Sequence, residues 1–358
     1  MRSDRVKPTP DSDSATPKTY RNVCLVWWTR PFFSCACVIT LMYSMMGIKL
    51  GPDENNEYLK SFQRFKSFFV YRAGYVLLIF SDVISNLTAL GRKQKKDTNL
   101  IHSLTDEMIQ QRIHELNNSN TKDEDNQNKT FFDIQMEASR KENFTREEIH
   151  DNVITMLLTA SDTTSITMNF VVFMLANFPK IQEKVYEELL EIYGTETIKS
   201  TPIKYDDLQH MHYLNRVIKE TMRIFPPAPI IGREVTEDLK IGEVTLPKGT
   251  NIFIPIIKMH RNKKYWPNPL TFDPDRFLSK EIKNCQSNYY MPFSDGPRKC
   301  IGITYAMMSM KVILATLVRT FEFKVNKHIE IDEVKLKFEM LLSTAEPLKV
   351  KLEKRYCQ

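Results

Sequence analysis

The chain has 358 residues, 42% of them hydrophobic, and a formal net charge of +6. That length fits one large domain or two ordinary ones, with enough apolar side chain for a substantial core. The modest charge suits an acidic partner or an anionic membrane surface, and no basic stripe with interleaved aromatics points to nucleic acid.

The six cysteines (Cys24, Cys35, Cys37, Cys285, Cys300, Cys357) show neither a disulfide framework nor a paired CxxC spacing. A reducing compartment is the expectation, so the sequons at Asn86, Asn117, Asn128 and Asn143 read as chance matches. The seven histidines form no HExxH motif or zinc-ligand cluster, which sets a metallohydrolase aside. With ten glycines and few alternating runs, the fold class expected is mainly α with small β-sheets.

Residues 1–31 read as a tail. Met1 to Asn22 is polar, basic and rich in Ser, Thr, Pro and Asp, which predicts disorder. Val23 to Pro31 follows, and Pro31 breaks it from the next apolar run. Phe32 to Leu50 predicts a helix ending near Gly47 or at Gly51-Pro52. Its uncharged part, Phe32 to Ile48, is about seventeen residues, at the short edge of a membrane span. Its Ser, Thr, Cys and Tyr content favours a buried core helix, with the span as the other reading. Glu57 to Phe80 is aromatic-rich, with helical spacing that suits core packing. Asn99 to Leu116 predicts an amphipathic helix, and Asn117 to Thr130 a polar surface linker.

Thr145 and Glu148 have capping-box spacing and open a helix running to about Ala176. A helix of that length spans about 45 Å, enough to cross a whole domain. Its middle, Thr159-Ala160-Ser161-Asp162-Thr163-Thr164-Ser165, is polar between apolar flanks. Such residues are mediocre helix formers, so the patch is either a solvated bend or a working site. Asn177-Phe178-Pro179 ends the helix. Ile181 to Tyr193 forms another, stopped by Gly194, and Tyr205 to Phe225 the next, stopped by Pro226-Pro227. Glu220 and Arg223 stand at i and i+3 there, on one face. Beyond Pro226, Val235 to Phe253 predicts short strands and tight turns. Trp266 to Phe277 is too proline-rich for helix or central strand. Ile303 to Arg319 is a helix, and Phe321 to Val325 and Lys335 to Leu352 close the chain as strands, with a turn at Ser343 to Pro347.

Between coil and last helix lies Phe293-Ser294-Asp295-Gly296-Pro297-Arg298-Lys299-Cys300-Ile301-Gly302. Gly296 permits backbone angles that let the loop fold tightly under a flat ligand. Cys300 sits just before the helix, whose amides and dipole stabilise a thiolate. Arg298 offers a fixed cation for a carboxylate. Gly302 lets the helix approach a planar group closely. A cysteine thiolate is the axial ligand that pushes electron density onto haem iron and favours O–O cleavage.

The pattern Phe293-x-x-Gly296-x-Arg298-x-Cys300-x-Gly302 resembles the haem-binding loop of cytochrome P-450 enzymes. Thr159 to Thr164 is similar to that family's oxygen-activating segment, and Glu220-x-x-Arg223 to its Glu-x-x-Arg. Arg276, in Phe272 to Phe277, looks like the third member of that core. Ile231-Gly232-Arg233 and Phe272 to Phe277 resemble the family-four clan of membrane-bound enzymes. The likeness covers roughly Phe32 to Arg355 and implies a cytochrome P-450 catalytic domain over 32–358, incomplete at the N-terminus.

The resemblance implies a haem-thiolate monooxygenase. It would insert one oxygen atom of dioxygen into a lipophilic substrate, with electrons from an NADPH-dependent reductase and cytochrome b5 as a second donor. It implies haem b, with Cys300 as iron ligand, Arg298 and Arg233 against the propionates, and Phe293, Gly296 and Gly302 shaping the loop. Asp162 and Thr163 would serve proton delivery and oxygen activation. Glu220, Arg223 and Arg276 would lock the core. Pro226 to Ile231 and Ser343 to Glu346 would border the substrate pocket, and Lys280, Lys283 and Lys299 would help dock the reductase. The location implied is the cytoplasmic face of the endoplasmic reticulum membrane. Three departures shape the expectation. Ala160 replaces a glycine and narrows the oxygen groove. Thr159 stands where many family-four enzymes carry a glutamate esterified to haem, so non-covalent haem is expected. The N-terminal anchor, the helix whose Trp and Arg contact haem, and the loop roofing the pocket are expected to be missing. The other reading is therefore a catalytically inactive fragment that at most binds haem.

Overall fold

The computed structural model describes residues 25–28, 33, 37, 40–47, 60, 61, 64, 86–118, 129–142, 144–195, 198, 200–278 and 289–355. Most of Glu57 to Phe80, most of Asn117 to Thr130, and Lys280 and Lys283 lie outside the described residues.

Helices dominate: α1 Ala89–Asn118, α2 Phe131–Glu142, α3 Arg146–Asn177, α4 Pro179–Tyr193, α5 His212–Ile224, α6 Ile256–His260 and α7 Ile303–Thr320. The strands are short: β1 Leu25–Trp28, β2 Ile231–Glu234, β3 Leu239–Ile241, β4 Val244–Leu246, β5 Asn251–Ile254, β6 Phe321–Lys324, β7 Leu336–Glu339, β8 Leu341–Thr344 and β9 Lys349–Lys354. They form one three-stranded sheet, β1-β9-β6, and three antiparallel pairs, β2-β5, β3-β4 and β7-β8.

The organising element is α3. Its start is fixed reciprocally: Glu148 N donates to Thr145 Oγ1 at 3.2 Å, and Thr145 N donates to Glu148 Oε2 at 2.8 Å. This is the capping box that the Thr-x-x-Glu spacing predicts. From Thr164 to Asn177 every residue of α3 is buried, so this half packs on all sides. Ile166, Phe170 and Phe173 join Leu214 and Val217 of α5 and Leu314 and Val318 of α7 in the larger core cluster. The other half of α3 belongs to a second cluster. There Ile149, Val153 and Leu157 meet Leu41, Met42 and Met46, together with Ile101 and Ile109 of α1 and Phe132 of α2. The polar segment Thr159 to Ser165 lies where one core gives way to the other.

Two buried amides tie helices to the chain beyond α7. Gln182 of α4 donates to the carbonyls of Leu175 and Phe323 at 3.1 and 2.9 Å, and accepts from Phe323 N at 2.7 Å, so it serves as a partner for strand β6. Asn177 bonds Ile329, in the coil after β6, in both directions at 2.8 and 3.0 Å. Each side chain satisfies backbone groups that burial would otherwise orphan.

Several boundaries differ from expectation. Leu25–Trp28, assigned to the tail over 1–31, pairs antiparallel with β9, Leu25 opposite Leu352 and Trp28 opposite Lys349. A run of branched and aromatic residues suits a sheet better than a solvated tail. Helix α1 begins ten residues before Asn99, because its polar, exposed first turns carry no apolar stripe to read. Helix α2 was not expected at all. Its signal is Thr130 with Asp133, where Asp133 N donates to Thr130 Oγ1 and Thr130 N to Asp133 Oδ2. The helix expected over Tyr205 to Phe225 divides into a 3-10 turn, Tyr205–Gln209, and α5. Glu188 of α4 makes the new start, accepting from the amides of Tyr213 and Leu214. Met340, at φ +61°, separates β7 from β8 within the expected last strand. In Phe32 to Leu50, residues 40–47 are helical through a π-helical turn, Met42–Met46, and stop at Gly47 with φ +72°.

Candidate cofactor site

The cysteine loop is held from within. Cys300 N donates to Phe293 O at 2.8 Å, Lys299 N to Gly296 O at 3.1 Å, and Ser294 N to Met291 O at 3.0 Å. Gly296 stands at φ +75° and Ser294 at φ +63°. The left-handed region suits glycine and strains serine. Arg233 of β2 secures the strained residue, donating from Nη2 to Ser294 Oγ at 2.6 Å. The structure therefore brings Arg233 to the loop, while its Nη1 donates to Gly232 O at 2.8 Å.

Residues 295–300 are exposed and Phe293 is half-buried. Arg298 has no partner among the described residues. Cys300 is a free, exposed thiol. Gly302 caps the start of α7, and a Cβ built on it would lie 3.8 Å from Cys300 Sγ. The sulfur thus sits at the N-terminal end of an 18-residue helix. Helix α7 packs on α3, and its Tyr305 joins Ala160 of α3 against the second core cluster.

Near the middle of α3, Thr155 and Thr159 are exposed, and Met156, Ala160 and Thr163 are half-buried. Their hydroxyls bond back one turn: Thr159 Oγ1 to Thr155 O at 2.8 Å, Thr163 Oγ1 to Thr159 O at 3.0 Å, Thr167 Oγ1 to Thr163 O at 2.8 Å. Asp162 does not share this face. It is buried, close enough to Cys37 for its charge to raise that thiol. Burial is the larger cause, and together they push Cys37 up to about 12. Adjacent helical residues stand about 100° apart, so Asp162 and Thr163 look in different directions.

Glu220 and Arg223 are both 0% exposed. Arg223 grips Glu220 with Nε to Oε2 at 2.7 Å and Nη2 to Oε1 at 2.8 Å, a bidentate pair. Arg276 Nε lies 3.5 Å from Glu220 Oε1, and Asp273 N donates to the same oxygen at 3.1 Å. Burial pushes the Glu220 carboxyl up, against the pull of Arg223, the Asp273 amide and Arg276. Arg223 Nη1 also donates to His260 O at 2.9 Å. His260, Arg261 and Tyr290 complete this knot and were not singled out by sequence; no spacing or motif marks them. Elsewhere, Leu342 N donates to Pro227 O at 2.9 Å, which lays Ser343 to Glu346 alongside Pro226 to Ile231.

A helical domain built on one long helix, with a cysteine loop seated at the head of another, is the architecture of a haem-binding domain. The cytochrome P450 family model matches residues 28–352, and the chain belongs to that family. It is 30% identical over 342 residues to cytochrome P450 4V2 of Mus musculus, covering 91% of this chain and 63% of that protein. With cytochrome P450 4d1 of Drosophila melanogaster it shares 31% over 336 residues, covering 88% and 64%. With cytochrome P450 4c21 of Blattella germanica it shares 31% over 341 residues, covering 92% and 66%. The chain thus spans less than two thirds of these relatives' length. The cytochrome P450DA heme domain has the same fold, at TM-score 0.77 and 20% identity over 93% of this chain and 69% of that one.

Membership implies haem b bound through a cysteine thiolate to iron. The residues present fit such a group. An exposed sulfur stands over a helix N-terminus, the loop around it is open, and Arg233 and Arg298 supply cations for carboxylates.

Proposed function

We propose that this chain is a haem-thiolate monooxygenase acting on a lipophilic small molecule, with electrons from an NADPH-dependent reductase. The observation that carries the reading is Cys300, exposed above the first turn of α7 in a loop closed by its own backbone. Haem, when bound, supplies the oxygen-activating chemistry. The chain supplies the rest. Cys300 offers the sulfur ligand, exposed at the head of α7. Arg233 and Arg298 pair with the two propionates. Gly296 would let the loop approach the haem closely, and Phe293 would line the inner side of the loop. The Asp162–Thr163 pair serves proton delivery and oxygen activation, Thr163 from the half-open side of α3 and Asp162 from its buried side. Glu220, Arg223 and Arg276 hold the scaffold under the loop. Pro226 to Ile231, beside Ser343 to Glu346, borders the substrate. The haem is non-covalent apart from the sulfur–iron bond, since Thr159 offers no carboxylate. Lys299 is exposed on the loop and suits an acidic reductase, with cytochrome b5 as an alternative donor. The site of action is the cytoplasmic face of the endoplasmic reticulum membrane, a reading that the resemblance to the family-four clan supports.

The test is the reduced carbon-monoxide difference spectrum of the purified chain beside Cys300→Ala. A strongly red-shifted Soret band, lost in the variant, is expected. No haem, or a band the substitution leaves unchanged, would overturn the assignment. A thiolate band without substrate turnover would favour the other reading, a haem-binding chain without activity.

A further inference from the structure

The cysteine loop is tied to the buried Glu220–Arg223 pair through one side chain. Met291 N, at the head of the loop, donates to His260 Nε2 at 3.0 Å. His260 is 0% exposed, and its own carbonyl accepts from Arg223 Nη1 at 2.9 Å. Its ring stacks on Tyr290, centroids 5.2 Å apart, and Tyr290 in turn donates its hydroxyl to Lys219 O at 2.9 Å. Below Met291 the path continues by Ser294 N to Met291 O and by Cys300 N to Phe293 O.

We propose that His260 is a positioning residue for the cysteine loop: its Nε2, as a bare acceptor, fixes Met291 and so sets the position of Cys300. The proposal rests on Cys300 as the iron ligand.

The chemistry of the ring supports this. An imidazole that accepts at Nε2 carries its proton at Nδ1. Here Nδ1 is buried, and the backbone at Met222 and Arg223 lies against the ring as acceptor, which suits a proton on Nδ1 and leaves Nε2 bare. A protonated ring would have no lone pair for Met291. Burial, with Arg223 and Arg261 nearby, disfavours that form and holds the group down to about 4, although the backbone at Met222 and Arg223 works the other way. A carboxylate could accept the same amide but would add a second buried anion beside Glu220. Glutamine has the reach to place a neutral acceptor near Nε2.

The experiment uses the full haem-loaded chain with His260→Leu and His260→Gln. Two readouts are taken: hydrogen exchange at the Met291 amide by mass spectrometry, and the share of haem giving the thiolate-type carbon-monoxide band. In His260→Leu we expect exchange at Met291 at least tenfold faster and the thiolate share down at least threefold. In His260→Gln both should stay within twofold of wild type. A leucine variant indistinguishable from wild type, or a glutamine variant as impaired as leucine, would overturn the proposal. Should His260→Leu fail to fold, 15N-histidine spectra of wild type decide: a neutral ring with its proton on Nε2 sinks the idea. A wild-type chain with no thiolate band would instead sink the ligand assignment itself. A normal band unmoved by His260→Leu sinks this proposal alone.

Discussion

Ser294 and Gly296 both stand in the left-handed region, at φ +63° and +75°. Only one of them is glycine, so the loop is not a relaxed conformation of its own sequence. It is held by bonds from Arg233 and Met291. The same logic applies to His260. Its ordinary value of 6.5 falls to about 4 in the fold, chiefly by burial. A depressed base favours the native state fully above about pH 6.5. That contribution is lost as pH falls from 6.5 towards 4, and is flat below. The shift corresponds to roughly 3 kcal/mol. We expect the difference in unfolding stability between wild type and His260→Gln to shrink across this window. Urea midpoints at pH 7, 5 and 4 measure it; a difference that does not change with pH would refute the expectation.

Among elements, the two halves of α3 face different tasks. Thr164 to Asn177 is buried on every side. Toward the N-terminus the helix buries only a stripe and leaves Thr155 and Thr159 open. The threonine hydroxyls bond the carbonyl one turn back, a habit that bends a helix rather than strengthens it, so the run stays helical through the packing of its apolar flanks. Helix α7 shows a similar division. Among the described residues it alone is long and apolar enough to cross a membrane. Yet Met310, Leu314, Ala315 and Val318 are buried in the core against α3, α4 and α5. Withdrawing it into lipid would dismantle that core. Residues 310–318 should therefore escape a photoactivatable hydrophobic probe dissolved in a bilayer, as read by mass spectrometry; labelling there would contradict the expectation.

For the whole molecule, the Glu220–Arg223 pair couples α5 to the coil from His260 to Arg276 and, through His260, to the cysteine loop. Both side chains are fully buried, so removing one charge strands the other. Glu220→Gln or Arg223→Leu should each cost about 3–5 kcal/mol. Substituting both with neutral residues should recover part of the loss, since no lone charge is then left inside. Denaturant midpoints of the two single variants and the double would measure this. Single costs below about 1 kcal/mol would show that the pair is not the keystone proposed.

Much of this was legible in the sequence. The capping box at Thr145, the stop at Gly194 and the glycine at 296 are local rules, decided by a few neighbouring atoms, and they read directly. Spacing put Glu220 and Arg223 on one face and Cys300 just before a helix, but only the resemblance to family motifs gave the pair a role beyond a local ion pair. Tertiary structure alone decided the rest. It recruited Leu25–Trp28 to the sheet, because an edge of β9 lies far off in sequence. It turned Asp162 inward beside Cys37 while Thr163 stayed half-open, because neighbouring helices choose which faces of α3 are covered. It buried His260 against Met291, a pairing that no periodicity encodes. Contacts between residues distant in the chain depend on how helices pack, and packing is a property of the assembled core rather than of any stretch within it.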